Sequence, residues 1–212
     1  MTDRSHNELS IRRYRQRAAG YDASARLTMP LRLRAIALLD LKPGQVVIDV
    51  GAGTGLSYAP LLSEVGADGW VLAFEQSPEM FALARKRAEA AAWPNLWHVC
   101  TNAESVALPQ LADALLFNYV HDITRTPEAV ANILRFAKPG ARLAMAGMKF
   151  FPWWTGPLNI LAWMKNRPYN ARAADLWAPW DIVSRYCDDF RLEPTQAGMG
   201  YIASGRIKTG IA

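Results

Sequence analysis

The run Val46-Val47-Ile48-Asp49-Val50-Gly51-Ala52-Gly53-Thr54-Gly55 constrains this chain more than any other stretch of it. Four β-favouring apolar residues surround one acid, and three glycines follow at alternate positions. Such a run suits a strand buried on both faces, as in a parallel sheet. Glycine tolerates positive φ and lacks the Cβ that would keep a ligand off the backbone. The run predicts a buried strand over 46–50 that ends in a loop where a ligand lies against the main chain. Twenty residues after the last glycine, a second apolar run, Trp70-Val71-Leu72-Ala73-Phe74, ends in Glu75. An acid at that place suits the two hydroxyls of a ribose. The pair reads as a nucleoside site, against the plainer alternative of a glycine-rich turn that binds nothing.

The glycine spacing narrows the ligand. Dinucleotide sites use G-x-G-x-x-G with a pyrophosphate at the helix N-terminus. Here the pattern is G-x-G-x-G with Asp49 inside the strand. A carboxylate beside the loop repels a pyrophosphate but can organise water and an ammonium group. In these residues the chain resembles motif I of the class I S-adenosylmethionine-dependent methyltransferases, and Glu75 stands in that family's ribose-binding place. The resemblance covers about residues 40–150. It implies S-adenosyl-L-methionine as cofactor, held by Asp49, Gly51, Ala52, Gly53, Thr54 and Gly55. Glu75, Gln76 and Met80 would contact the ribose and adenine, and Asn102, Ala103 and Glu104 would lie where relatives read the adenine amino group. Asn118, in the strand expected over 114–120, would also meet the cofactor.

A further phrase, Tyr14-Arg15-Gln16-Arg17-Ala18-Ala19-Gly20-Tyr21-Asp22, is similar to the lid helix of small-molecule and lipid methyltransferases. A tyrosine of that phrase closes over the cofactor in such enzymes. Tyr14 is therefore a cofactor-contact candidate and Tyr21 a candidate catalytic residue.

Helical and strand patterns alternate along the 212 residues, which predicts an α/β fold. The expected architecture is a Rossmann-like, seven-stranded, mostly parallel sheet with helices on both faces and an antiparallel edge hairpin. Its strands are expected at 46–50, 71–75, 96–100, 114–120, 142–148, 191–197 and 201–207. Helices are expected over 10–19, 31–39 behind Pro30, 54–65, after the Ser77-Pro78-Glu79 cap, and from the Thr126-Pro127-Glu128 cap to Lys138-Pro139-Gly140. The chain divides into an N-terminal helical lid (1–40), a cofactor core (41–149), an aromatic insertion (150–180), and a helix with edge strands that completes the same domain (181–212).

Charge and cysteine content bound the setting. The net charge of +5 resides in residues 1–35, where eight arginines face three acids. Such a segment either is a solvated helix face or attracts an anionic membrane, a nucleic acid or an acidic substrate. Cys100 and Cys187 lack metal-type spacing and are expected to be inert thiols without a disulfide. Residues 1–17 lack the apolar core of a signal peptide, and no apolar run reaches the ~18 residues of a membrane span. A soluble, cytoplasmic protein is expected, with no metal site among its three scattered histidines.

Methyl transfer from a sulfonium needs mainly alignment, desolvation and, for some acceptors, proton removal. His121, directly after strand 4, is the candidate base; the alternative is a cofactor or packing contact. Residues 150–180 carry five of the eight tryptophans and four prolines, far more than a plain connection needs. Trp153, Trp154, Tyr169 and Trp177 are substrate-contact candidates, with Trp180 beside them, or else they form a satellite core under the loop.

The reaction expected is methylation of a small, apolar or aromatic molecule by in-line displacement. A lipid-headgroup N-methyltransferase working at an anionic membrane surface is the second reading, and a non-catalytic cofactor-binding protein the third. Nucleic acid is disfavoured, because Asn118-Tyr119-Val120-His121 lacks the N/D-P-P-Y/F pattern of many base-amino methyltransferases.

Overall fold

The computed structural model describes Asp22 and residues 26–151, 153–166 and 173–210. These residues form one seven-stranded sheet: β1 (Val46–Val50), β2 (Trp70–Glu75), β3 (Leu96–Cys100), β4 (Ala112–Asn118), β5 (Ala137–Met148), β6 (Cys187–Thr195) and β7 (Gly200–Ile207). The order is β3-β2-β1-β4-β5-β7-β6. The first five strands are parallel, and β7 runs antiparallel to both β5 and β6. The α/β sheet with an antiparallel edge pair is therefore the architecture that the sequence pattern predicts.

Among the described residues the helices are α1 (Met29–Leu38), α2 (Tyr58–Val65), α3 (Pro78–Ala91), α4 (His121–Thr124), α5 (Pro127–Leu134), α6 (Pro157–Asn166) and α7 (Asp181–Ser184). Alternation along the strands sorts the core into two faces. On one face, Val47, Val71, Ala73, Ala114 and Leu116 pack against Leu31, Ala35 and Ile36 of α1 and Tyr58, Leu61 and Val65 of α2. On the other, Ile48, Val50, Leu72, Phe74, Leu115 and Phe117 meet Val130 and Ile133 of α5 and Val183 of α7. All five residues of β1 are buried, as expected for the central strand.

Several boundaries shift for local reasons. The Thr54–Ser57 stretch forms turns, so α2 starts at Tyr58 rather than Thr54. Strand β4 ends at Asn118, because Tyr119 takes φ +63°, and α4 begins at His121. Helix α5 stops at Leu134, and Lys138-Pro139-Gly140 does not end it. Instead that tripeptide bulges within β5, where the pairing steps from Ala112↔Ala137 to Ala114↔Arg142 with Gly140 at φ +75°. Strand β6 starts four residues before expectation, at Cys187, and runs past a bulge between Asp188 and Arg191. It tolerates Pro194 because it is an edge strand.

Ser77 does cap α3, accepting from the Met80 amide at 3.4 Å. Thr126 precedes α5 without a side-chain cap bond and donates its hydroxyl to the Asp122 carbonyl at 2.9 Å instead. Cys187 is buried, and burial pushes its thiol up to about 12, whereas Cys100 is exposed at the end of β3. Among the described residues no helix is long and apolar enough to cross a membrane.

Candidate functional site

The sheet reverses its winding between β1 and β4, and in open α/β folds the ligand lies outside the carboxyl ends of the strands at that point. A cleft of about 510 Å³, counted to its open mouth, occupies the place. Gly51, Ala52, Gly53, Thr54 and Leu56 line it from the loop after β1, and Glu75, Gln76 and Met80 from the end of β2 and the start of α3. Asn118, Tyr119, Val120, Asp122 and Ile123 face them from the end of β4, and Arg32 of α1 closes one side.

The three loop glycines all take positive φ, between 59° and 78°, yet they serve different ends. A Cβ on Gly51 would fall 2.7 Å from Val120 Cγ1, and one on Gly55 would fall 2.6 Å from the Tyr58 ring. Those two glycines let the loop pack onto the protein's own core. A Cβ on Gly53 would meet nothing within 4 Å, so its bare Cα faces the open cleft. Gly53 is the glycine that leaves room for a ligand.

Glu75 is 7% exposed and accepts backbone bonds on both oxygens, from Gly53 N at 2.9 Å and Ser77 N at 2.7 Å. Burial pushes its carboxyl up to about 7, against those amides, which hold it down. Each carboxylate oxygen retains lone-pair capacity for a further donor. Asp49 is 1% exposed, and burial pushes it up to about 7 too, with the Arg32 charge opposing and the Glu75 charge assisting. The guanidinium of Arg32 lies 4.6 Å from the centroid of the Tyr119 ring, and its Nε donates to Thr28 Oγ1 at 3.3 Å.

Of the buried polar atoms without a hydrogen-bond partner among the described residues, three lie on β1 and β4: Asp49 Oδ2 and both Oδ1 and Nδ2 of Asn118. Buried polar atoms are nearly always satisfied, by protein, water or ligand. Here the orphans sit on the strands that flank the cleft, on the sheet face that carries Val47 and Leu116. An acid acceptor, an amide offering both donor and acceptor, and a glycine without a Cβ suit the polar, cationic end of S-adenosylmethionine.

Other candidates fall elsewhere. Asn102, Ala103 and Glu104 do not line the cleft: Asn102 Oδ1 accepts from Ser105 N at 2.9 Å, and Ala103 is buried. His121 is 6% exposed at the start of α4 and is also absent from the lining, although its neighbours Val120 and Asp122 belong to it. Trp177 packs edge-on against Phe150 with ring centroids 5.1 Å apart, and Trp180 meets Tyr201 at 4.9 Å. Those two contacts are satellite and core packing. Trp154 is 71% exposed, and Trp153 belongs to a 3-10 turn whose side chains are described only in part. Tyr14, Tyr21 and Tyr169 lie outside the described residues.

Sequence reasoning missed Arg32 and Tyr119. Arg32 was legible in principle, since it falls on the same helical face as Leu31, Ala35 and Ile36, where a charge is out of place. Tyr119 gave no such signal, because only its left-handed φ turns it toward the cleft.

Residues 47–140 match the family model described as a methyltransferase domain. The chain is 25% identical over 198 residues to an aklanonic acid methyltransferase of Streptomyces sp. (strain C5), covering 88% of this chain and 86% of that protein. It is 30% identical over 135 residues to a protein-L-isoaspartate O-methyltransferase of Aeropyrum pernix, covering 64% of this chain but only 48% of that one. Among solved structures, a putative O-methyltransferase of Nostoc punctiforme superposes with a TM-score of 0.69 at 12% identity, over 91% of this chain and 59% of the other. That likeness speaks to the fold. With the glycine turn, the strand acid and Glu75 gathered at one switch point, residues 47–140 of this chain belong to the methyltransferase domain family, in a fold shared with solved S-adenosylmethionine-dependent methyltransferases.

Proposed function

We propose that the protein transfers a methyl group from S-adenosylmethionine to a small, apolar or aromatic acceptor. The observation that carries this reading is the cleft at the β1–β4 switch, where Gly53 leaves open space beside a buried Glu75. When bound, the cofactor supplies an electrophilic methyl group on a sulfonium. The chain's own part is to bind and orient it. Glu75 takes the ribose hydroxyls on its remaining lone pairs, with Gln76 and Met80 beside it. Asn118 and Asp49 offer their free polar atoms to the amino-acid end, and the Gly53–Gly55 turn lies along the cofactor. We assign Asn102, Ala103 and Glu104 no direct contact in the described geometry, and His121 a packing role at the start of α4.

We place the acceptor side at Tyr119, which lines the cleft and packs, with Phe151 and Met199, against the small cluster of Met148, Phe150 and Leu176. That apolar composition supports an apolar or aromatic acceptor. Asn159 is bound into the base of the insertion, where its amide exchanges hydrogen bonds with Phe151 N and Phe151 O at 2.8 and 3.2 Å. A cytoplasmic location belongs to the same proposal. The test is methyl transfer from labelled S-adenosylmethionine to a panel of phenols, quinones, amines, carboxylic acids and lipids. Turnover on an aromatic or apolar small molecule supports the reading, and binding without turnover on any class favours a non-catalytic protein.

One observation favours a second reading. Leu158, Ile160 and Met164 of α6 and the nearby Trp154 are all exposed, at 48–71%. Together with the arginine-rich first 35 residues, they support action at an anionic membrane surface. Pelleting with anionic vesicles at low and high salt decides between the two: absence of salt-sensitive binding removes the membrane reading.

A further inference from the structure

The carboxylate of Asp22 bridges the two elements that hold the cleft together. Its Oδ1 accepts from Thr54 Oγ1 at 2.5 Å, and its Oδ2 accepts from Arg87 Nη2 at 2.6 Å. Thr54 is 1% exposed and belongs to the glycine turn after β1. Arg87 projects from α3, the helix whose first turn brings Met80 to the cleft. Asp22 itself does not line the cleft.

The glycine turn needs such outside support. Gly51, Gly53 and Gly55 all adopt positive φ, and glycine loses more backbone freedom on ordering than any other residue. Two carboxylates hold consecutive residues of the turn: Glu75 Oε2 takes the Gly53 amide, and Asp22 Oδ1 takes the Thr54 hydroxyl. The first anchors the turn to the end of β2 and the second to α3.

We propose that Asp22 is a positioning residue of the cofactor site, acting through Thr54 to fix the glycine turn against α3. The proposal rests on the cleft being the S-adenosylmethionine site. A hydroxyl donating to a carboxylate is a charge-assisted bond, and this one ends on a buried oxygen of the turn. The Asp22–Arg87 pair is more exposed, with side chains 46% and 35% accessible, so it aims the carboxylate more than it stabilises the fold. The competing view is that Asp22 only anchors its own segment of chain. In that case its loss lowers the melting temperature and leaves cofactor affinity alone.

The experiment is calorimetric titration with S-adenosylhomocysteine of the full-length wild type and of Asp22→Ala, Asp22→Asn, Thr54→Val and the Asp22→Ala/Thr54→Val double variant. Melting temperatures without ligand are measured alongside. Asp22→Ala is expected to weaken binding about tenfold, the usual effect of losing one hydrogen bond to a charged group. Asp22→Asn keeps an acceptor for the Thr54 hydroxyl and is expected to recover most of that loss. In the Thr54→Val background, adding Asp22→Ala is expected to change the affinity by less than about twofold, because residues that act through one another are not additive.

Wild-type affinity retained by Asp22→Ala overturns the proposal, as does a fully multiplicative double variant or an Asp22→Asn that is as weak as Asp22→Ala. Should Asp22→Ala fail to fold, Thr54→Val and Asp22→Asn decide: a Thr54→Val with wild-type affinity overturns the proposal. A wild type that does not bind S-adenosylhomocysteine removes the cofactor reading and this role together. A wild type that binds while the variants match it removes this role alone.

Discussion

Asp49 and Glu75 are two buried carboxyls in one cleft, each pushed up to about 7 by burial. Their unfolded values are near 3.8 and 4.5, so the folded state holds their protons more tightly than the unfolded chain. Their stability contribution is present in full below about pH 4 and is lost as the pH rises through about 7. Asp49→Asn removes the charge that must be buried. The ligand-free variant is expected to melt with the wild type near pH 4 and above it at pH 8, by at most about 4 kcal/mol for a shift of this size. Thermal unfolding at both pH values checks this, and an Asp49→Asn that melts lower at pH 8 contradicts it. Glu75→Ala is expected to cost roughly 2–4 kcal/mol of S-adenosylhomocysteine affinity by removing two charge-assisted bonds that do not fully add. An unchanged dissociation constant by calorimetry removes the ribose role. The sequence revealed Asp49 and Glu75 because an acid at the end of an apolar strand has few other uses. Arg32 is hidden in sequence because it sits within an arginine-rich segment whose charge masks its place on the buried face of α1. Asp22 escaped for a stronger reason, since its two partners lie 32 and 65 residues away in the chain.

At the scale of elements, the loop after β3 is held by α5. Asn132 Nδ2 donates to the carbonyls of Ala103 and Val106, at 2.9 and 3.0 Å. Asn132→Ala leaves two partly buried carbonyls without their donor and is expected to cost about 1–3 kcal/mol of stability. It should also speed amide exchange over 101–108, by hydrogen-exchange mass spectrometry, while α2 exchanges as before. The central strands were legible because their apolar runs have one meaning in a parallel sheet. Element ends were less so. Tyr119 in the left-handed region stops β4 two residues early, and no side-chain pattern announces that conformation for a tyrosine. Lys138-Pro139-Gly140 has the composition of a helix-ending turn, but β5 accommodates it as a bulge because β4 already pairs on either side of it. The aromatic insertion carried two readings in sequence; Trp177 and Trp180 make ring contacts with Phe150 and Tyr201, and Trp177 stays 48% exposed.

Across the whole molecule, function follows from one topological fact. β1 sits third in the sheet with β2 on one side and β4 on the other, so the loops leaving β1 and β4 diverge and open a cleft. The Gly51–Gly55 turn supplies one wall of that cleft, and the ends of β2 and β4 supply the others. The apolar cluster of Met148, Phe150 and Leu176, against which Tyr119 packs, is determined by no part of the glycine motif. The central claim is that this cleft holds S-adenosylmethionine. Calorimetric titration of the wild type and of Gly53→Val with S-adenosylhomocysteine tests it most directly, with circular dichroism to show that both are folded. The wild type should bind one equivalent with a dissociation constant on the order of micromolar, and Gly53→Val, whose side chain enters the open space above the turn, should show no binding. A wild type that releases no binding heat, or a folded Gly53→Val that binds as tightly as the wild type, contradicts the account.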